Sequence, residues 1–101
     1  MYRHGDVALT HVDVVPNGAV QVFVGKNYTV AEGEVTGHAH RVFAPAVVVW
    51  EFGGERFMVV DGESTITHEE HGTKTITPGI YKIGIQKEYD PFAQRIREVV
   101  D

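Results

Sequence analysis

Val49-Trp50-Glu51-Phe52-Gly53-Gly54-Glu55-Arg56-Phe57-Met58 sets the reading of this chain, because two consecutive glycines stand between two runs rich in β-branched and aromatic residues. A two-residue loop of the primed kind needs positive φ, which glycine adopts without steric cost, and such a loop fixes which residues lie opposite each other. Counting outward, Phe52 faces Glu55, Glu51 faces Arg56, Trp50 faces Phe57 and Val49 faces Met58. Opposite charges and paired aromatics then meet across the strands, each pair worth about 0.2–1 kcal/mol. Turn chemistry and pair chemistry agree, so the segment is expected to be a β-hairpin.

The same punctuation continues on both sides. Val7 to Val14 alternates loosely and stops at Pro16-Asn17-Gly18; Val20 to Val24, Tyr28 to Ala31, Ser64 to Thr67 and Thr73 to Thr77 are further short β-rich runs. Gly25-Lys26-Asn27, Asp61-Gly62 and Pro78-Gly79 are expected to be the turns between them, the last carrying a type II signature. Tyr81, Ile83 and Ile85 alternate with Lys82, Gly84 and Gln86, as in a half-buried strand. Asp90-Pro91 reads as an N-cap followed by proline at the first helical position, with Phe92, Ile96 and Val99 as an apolar stripe. The expected fold is all-β: a small single domain over residues 1–101, a barrel or sandwich of about seven to nine short antiparallel strands with a short carboxy-terminal helix.

Composition narrows the function classes. With no cysteine, neither a disulfide framework nor a thiolate metal site is possible, so any metal must be held by nitrogen and oxygen. Fourteen acidic against nine basic side chains leave a net charge of -5, which opposes binding to a phosphate backbone. Lys82, Lys87, Arg95 and Arg97 gather late in the chain but are interleaved with Glu88, Asp90, Glu98 and Asp101, so nucleic acid is not an expected partner. The longest apolar run, Phe43 to Trp50, is too short to span a bilayer, and Met1 to Asp6 has no apolar signal region; no membrane contact and a cytoplasmic location are expected. Ser64, the only serine, does not sit in a nucleophile elbow, and no glycine-rich phosphate loop is present. Whether the chain is an enzyme stays open.

Histidine is where chemistry concentrates. Gly37-His38-Ala39-His40 and His68-Glu69-Glu70-His71-Gly72 hold four of the six histidines. Residues two apart in a strand share a face, so His38 and His40 can grip one ion from one side. His68 and His71 converge only if Glu69-Glu70 bend tightly, with Gly72 as the exit residue of the bend. His38, His40, His68 and His71 are therefore the candidate ligands of a divalent metal, zinc first. Glu34, Glu69 and Glu70 are candidates to act on a metal-bound water or to orient a histidine by accepting its second ring proton. His4 and His11 fall outside both clusters and are expected at surface or edge positions. The alternative reading is a non-catalytic protein-interaction module without metal, or a phage-associated accessory protein. Its valine-rich strand Val20 to Val24 would suit a homo-oligomer or a protein partner.

Tyr2-Arg3-x-Gly5-Asp6-Val7, Ala31-Glu32-Gly33-Glu34-Val35-Thr36-Gly37-His38-Ala39-His40, His68-Glu69-Glu70-His71-Gly72 and Gln86-Lys87-Glu88-Tyr89-Asp90-Pro91 together resemble a small uncharacterised family of bacteria and their phages. That resemblance implies a bacterial or phage origin and a small stand-alone protein, without an activity. Gly33 through His40 is also similar, in part, to the first motif of the cupins, metal-binding β-barrels, one residue short in its spacer. Carried over by that motif, only His38 and His40 match as ligands. Arg41-Val42-Phe43-Ala44 stands where the cupin glutamate is expected, and Tyr81-Lys82 where a later histidine would follow Pro78-Gly79.

Overall fold

In the computed structural model, which describes residues 1–32, 39–69 and 71–85, the regular elements are eight strands. They are β1 (Tyr2–His4), β2 (Val7–Val12), β3 (Val20–Glu32), β4 (Ala39–Phe52), β5 (Glu55–Asp61), β6 (Ser64–His68), β7 (Gly72–Ile76) and β8 (Gly79–Ile85). The expected helix after Asp90-Pro91 lies outside the described residues. Among the described residues no helix is long and apolar enough to cross a membrane.

The hairpin around Gly53-Gly54 forms in the expected register: Phe52 pairs with Glu55, Glu51 with Arg56, Trp50 with Phe57 and Val49 with Met58. Both glycines have positive φ, 58° and 79°, as a type I′ turn requires. One expected partnership is used differently. Arg56 lies on the same face as buried Met58, and a guanidinium half-withdrawn from water needs fixed acceptors. It donates to the Tyr28 hydroxyl (2.5 Å) and to the Val30 carbonyl (3.0 Å). On the outer face the ion pair is Glu55 with Lys82, at 2.6 Å.

Strand β4 is the spine, and Pro45 explains its shape. Val42 and Ala44 are buried, then Val47 and Val49, so the inward face changes parity between residues 44 and 47. Proline has no amide hydrogen to offer a ladder, and the pairing is interrupted beside it on both flanks. On one flank the register with β3 shifts between Gly25-Val47 and Asn27-Phe43. On the other, β5 pairs with β4 as far as Ala46-Asp61, and β6 resumes at Phe43-Thr65. Asp61-Gly62 is therefore a kink that lets β5 and β6 run on as one bent arm, not the reversal its sequence predicts. Gly25-Lys26-Asn27 is likewise a register shift inside the 13-residue β3 rather than a turn. Gly79, at φ 155°, already pairs with Val60, so Pro78-Gly79 is a bend and not a type II turn.

The antiparallel sheet runs β1-β2-β8-β5-β4-β6-β7, with β3 on the free flank of β4. The kinked arms let it belong to two layers, the way a corner is made in a barrel. Its inner face holds Val7, Leu9, Val30, Val42, Val47, Val49, Met58, Val60, Ile66, Ile76, Tyr81 and Ile83. The result is a nearly closed barrel whose seam, between β1 and β7, is bridged by side chains. His4 Nε2 donates to the Gly72 carbonyl (2.9 Å) and Lys74 Nζ to the Arg3 carbonyl (3.0 Å). The Tyr2 hydroxyl donates to Thr77 Oγ1 and accepts from the Thr77 amide, both at 3.3 Å. Tyr81, fully buried, closes the same corner by donating to the Thr77 carbonyl at 2.6 Å.

Candidate metal centre

Three strands and one turn deliver histidines to one end of this seam, and the register of the strands explains why. Arg41 pairs with Thr67, so one step further His40 stands opposite His68. Both project inward, two residues beyond the core side chains Val42 and Ile66. His68 ends β6, the chain bends through Glu69, and His71 precedes β7; Gly72 is the exit residue, at φ 73°, as the sequence predicts. The His71 amide donates to His68 Nδ1 at 3.3 Å across the bend.

One ring nitrogen from each of His40, His68 and His71 lies within 4.8 Å of the others. Their ring centroids are 4.3 Å (His40–His68), 4.7 Å (His68–His71) and 5.7 Å (His40–His71) apart. His38 lies outside the described residues, as do Glu34 and Glu70. Of the expected four, the structure brings these three together.

A fourth histidine, His4, joins them from the edge strand β1. His4 is expected at the surface or an edge; it stands on the edge strand β1 but faces inward, only 5% exposed and packed against His40 with ring centroids 5.0 Å apart. The physical reason is the β1–β2 hairpin, whose two-residue loop Gly5-Asp6 sets His4 opposite the buried Val7 and so on the core face. Gly5 is at φ 61°, and a Cβ there would lie 2.7 Å from the His71 ring, so the bare backbone of this turn fits against the cluster. His11 does stay outside, exposed on β2 with its ring tilted 39° against Tyr81, centroids 4.2 Å apart.

Glu69 is placed to hold this end together. Its carboxylate accepts from the Ala39 amide (2.9 Å) and from Arg41 Nη1 (3.0 Å), tying the β6–β7 bend to the start of β4. The Ala39 amide bond, foremost, with Arg41 assisting, holds its carboxyl down to about 2. It is therefore a permanent acceptor at neutral pH rather than a group that exchanges protons there. Burial, and next the surrounding His68, His4 and His71 rings, push His40 down to about 4, only partly opposed by Asp6. His40 is 7% exposed and stays neutral near pH 7, the form that ligates a metal.

These shifts carry a sign for the metal-free protein. Between its ordinary 6.5 and about 4, His40 binds a proton more readily unfolded than folded, so stability falls as pH drops through that window. Glu69 contributes stability that is complete above 4.5 and is lost as pH falls through about 2. Urea denaturation of chelator-stripped protein at about pH 7, 5 and 3 should show a midpoint falling at each step. Glu69→Gln should flatten only the lower step; a midpoint unchanged from neutral pH down to about 4 would contradict the His40 environment.

No curated protein and no solved structure matches this chain. One family model does, over residues 3–86, a span that takes in His4, His40, His68 and His71 together, and on that match the chain belongs to the domain of unknown function DUF8820.

Proposed function

We propose that this barrel binds one divalent transition-metal ion, zinc in the first instance, through His40, His68 and His71. The observation that carries this reading is the convergence of three imidazole nitrogens within 4.8 Å on residues that span 31 positions of the chain, His40 to His71. Tetrahedral ligands at about 2.0–2.1 Å from zinc stand about 3.4 Å apart, so the ring nitrogens need to draw in by at most about 1.4 Å, within the reach of side-chain rotations. The donor set suits zinc, copper or nickel better than magnesium or calcium, which prefer oxygen. Three imidazoles is also the protein ligand count of catalytic zinc sites that reserve a position for water.

The alternative, a protein-interaction module, rests on β3, where Val20, Val22 and Val24 are exposed and, among the described residues, only β4 is paired. Three register shifts and Lys26 in mid-strand are, however, the devices by which an edge strand resists pairing with another chain. The metal reading is the better supported of the two.

Native mass spectrometry of the tag-free, chelator-stripped protein with one equivalent of zinc tests it. A single zinc adduct is expected, lost in a His40→Ala/His68→Ala/His71→Ala variant. No adduct at micromolar zinc would overturn the reading.

A further inference from the structure

The cluster holds a residue with no assigned part. His4 Nδ1 and His40 Nδ1 are 2.9 Å apart in a buried contact, and His4 Nε2 is 2.9 Å from the Gly72 carbonyl. A carbonyl only accepts, so His4 carries its proton on Nε2, and in the neutral ring Nδ1 then holds a lone pair. Two facing nitrogens cannot both accept. His40 must supply the hydrogen, which puts its proton on Nδ1 and leaves the lone pair on Nε2.

We infer that His4 is the positioning residue of the metal centre: by accepting a hydrogen bond from His40 Nδ1–H it fixes the tautomer in which His40 Nε2 can ligate. The inference rests on the metal reading for its consequence, though the proton assignment belongs to the metal-free protein as well. Metal-bound histidines usually give their second ring proton to a carboxylate or carbonyl, which holds the ring and raises its basicity. Here a second imidazole takes that place, its own Nε2–H donating a hydrogen bond to the carbonyl of Gly72, the residue after the ligand His71. One hydrogen-bonded chain thus runs from β7 across the seam to β1 and on to β4. Both His4 nitrogens are occupied in it, so His4 is not itself a ligand, and the ion keeps a position for an exogenous donor such as water.

Long-range proton–nitrogen NMR on wild-type protein labelled at histidine nitrogen reads the proton positions directly. Nδ1–H on His40 and Nε2–H on His4 are expected in the chelator-stripped protein, and both should persist when zinc is added. An Nε2–H tautomer of His40, or a metal shift on His4 Nδ1, would overturn the inference. Zinc affinity supplies the second arm. His4→Leu keeps volume but no acceptor and should bind zinc about 10–100-fold more weakly. His4→Asn, whose amide oxygen sits near the position of Nδ1, should recover most of that loss. Wild type that binds zinc while all three proteins share one affinity overturns the role of His4 alone; wild type that takes up no zinc overturns the metal reading with it.

Discussion

His40→Ala and His71→Ala should each weaken zinc binding by about 100-fold or more, and the double variant should lose far less than the product of the two. Ligands of one ion share a single binding free energy, so removing the second from an already broken site removes little, whereas unrelated surface histidines act independently. A 100-fold loss corresponds to about 2.7 kcal/mol, well above the error of a calorimetric titration. The two residues are 31 positions apart and belong to different elements, yet their rings stack at 13° with centroids 5.7 Å apart. Protons compete for the same lone pairs, so affinity in a non-chelating buffer should fall as pH is lowered, with competition at His40 setting in only towards about 4. Losses that simply multiply would show that the two histidines do not hold the same ion.

Gly5→Ala is the substitution expected to damage stability and binding together. Gly5 is at φ 61°, and a Cβ there would meet the His71 Cδ2 and Nε2 atoms at 2.7 Å and His40 Cε1 at 3.1 Å. A left-handed backbone costs an alanine about 1–2 kcal/mol, and the added methyl pushes His71 away from the other ligands. Zinc affinity should fall at least tenfold. Gly54→Ala separates the two effects, because Gly54 also has positive φ, 79°, but nothing within 4 Å of an added Cβ. It should lower the urea midpoint by a similar amount and leave zinc affinity at the wild-type value. If both alanine variants bind zinc like wild type, the β1–β2 turn does not shape the centre.

His40, His68 and His71 were legible because their spacing is local: period two in a strand and a short bend closed by Gly72 each concern a handful of neighbouring dihedrals. His4 was not legible as a single histidine 36 positions before His40. Its signal lay in Gly5-Asp6, a two-residue turn that sets His4 opposite Val7 and so on the apolar face. Glu69 was a candidate for acting on bound water or orienting a ring, but its hydrogen bonds go to the Ala39 amide and Arg41, partners 30 and 28 positions away.

From its amino-acid order alone the chain determines what depends on adjacent dihedrals and on the two-residue repeat of a strand. The Gly53-Gly54 turn, the register of the arms beside it and the all-β class follow from these. Tertiary structure alone decides where strands stop being straight. Gly25-Lys26-Asn27 and Asp61-Gly62 carry turn residues, yet the chain runs on through both, because β4 bends at Pro45 and its neighbours must bend with it. That shared bend brings β1 round to β7, and only then do His4, His40 and the Gly72 carbonyl come within hydrogen-bonding distance. Closure depends on the summed twist and kinks of every strand in the ring, a quantity that no single segment encodes.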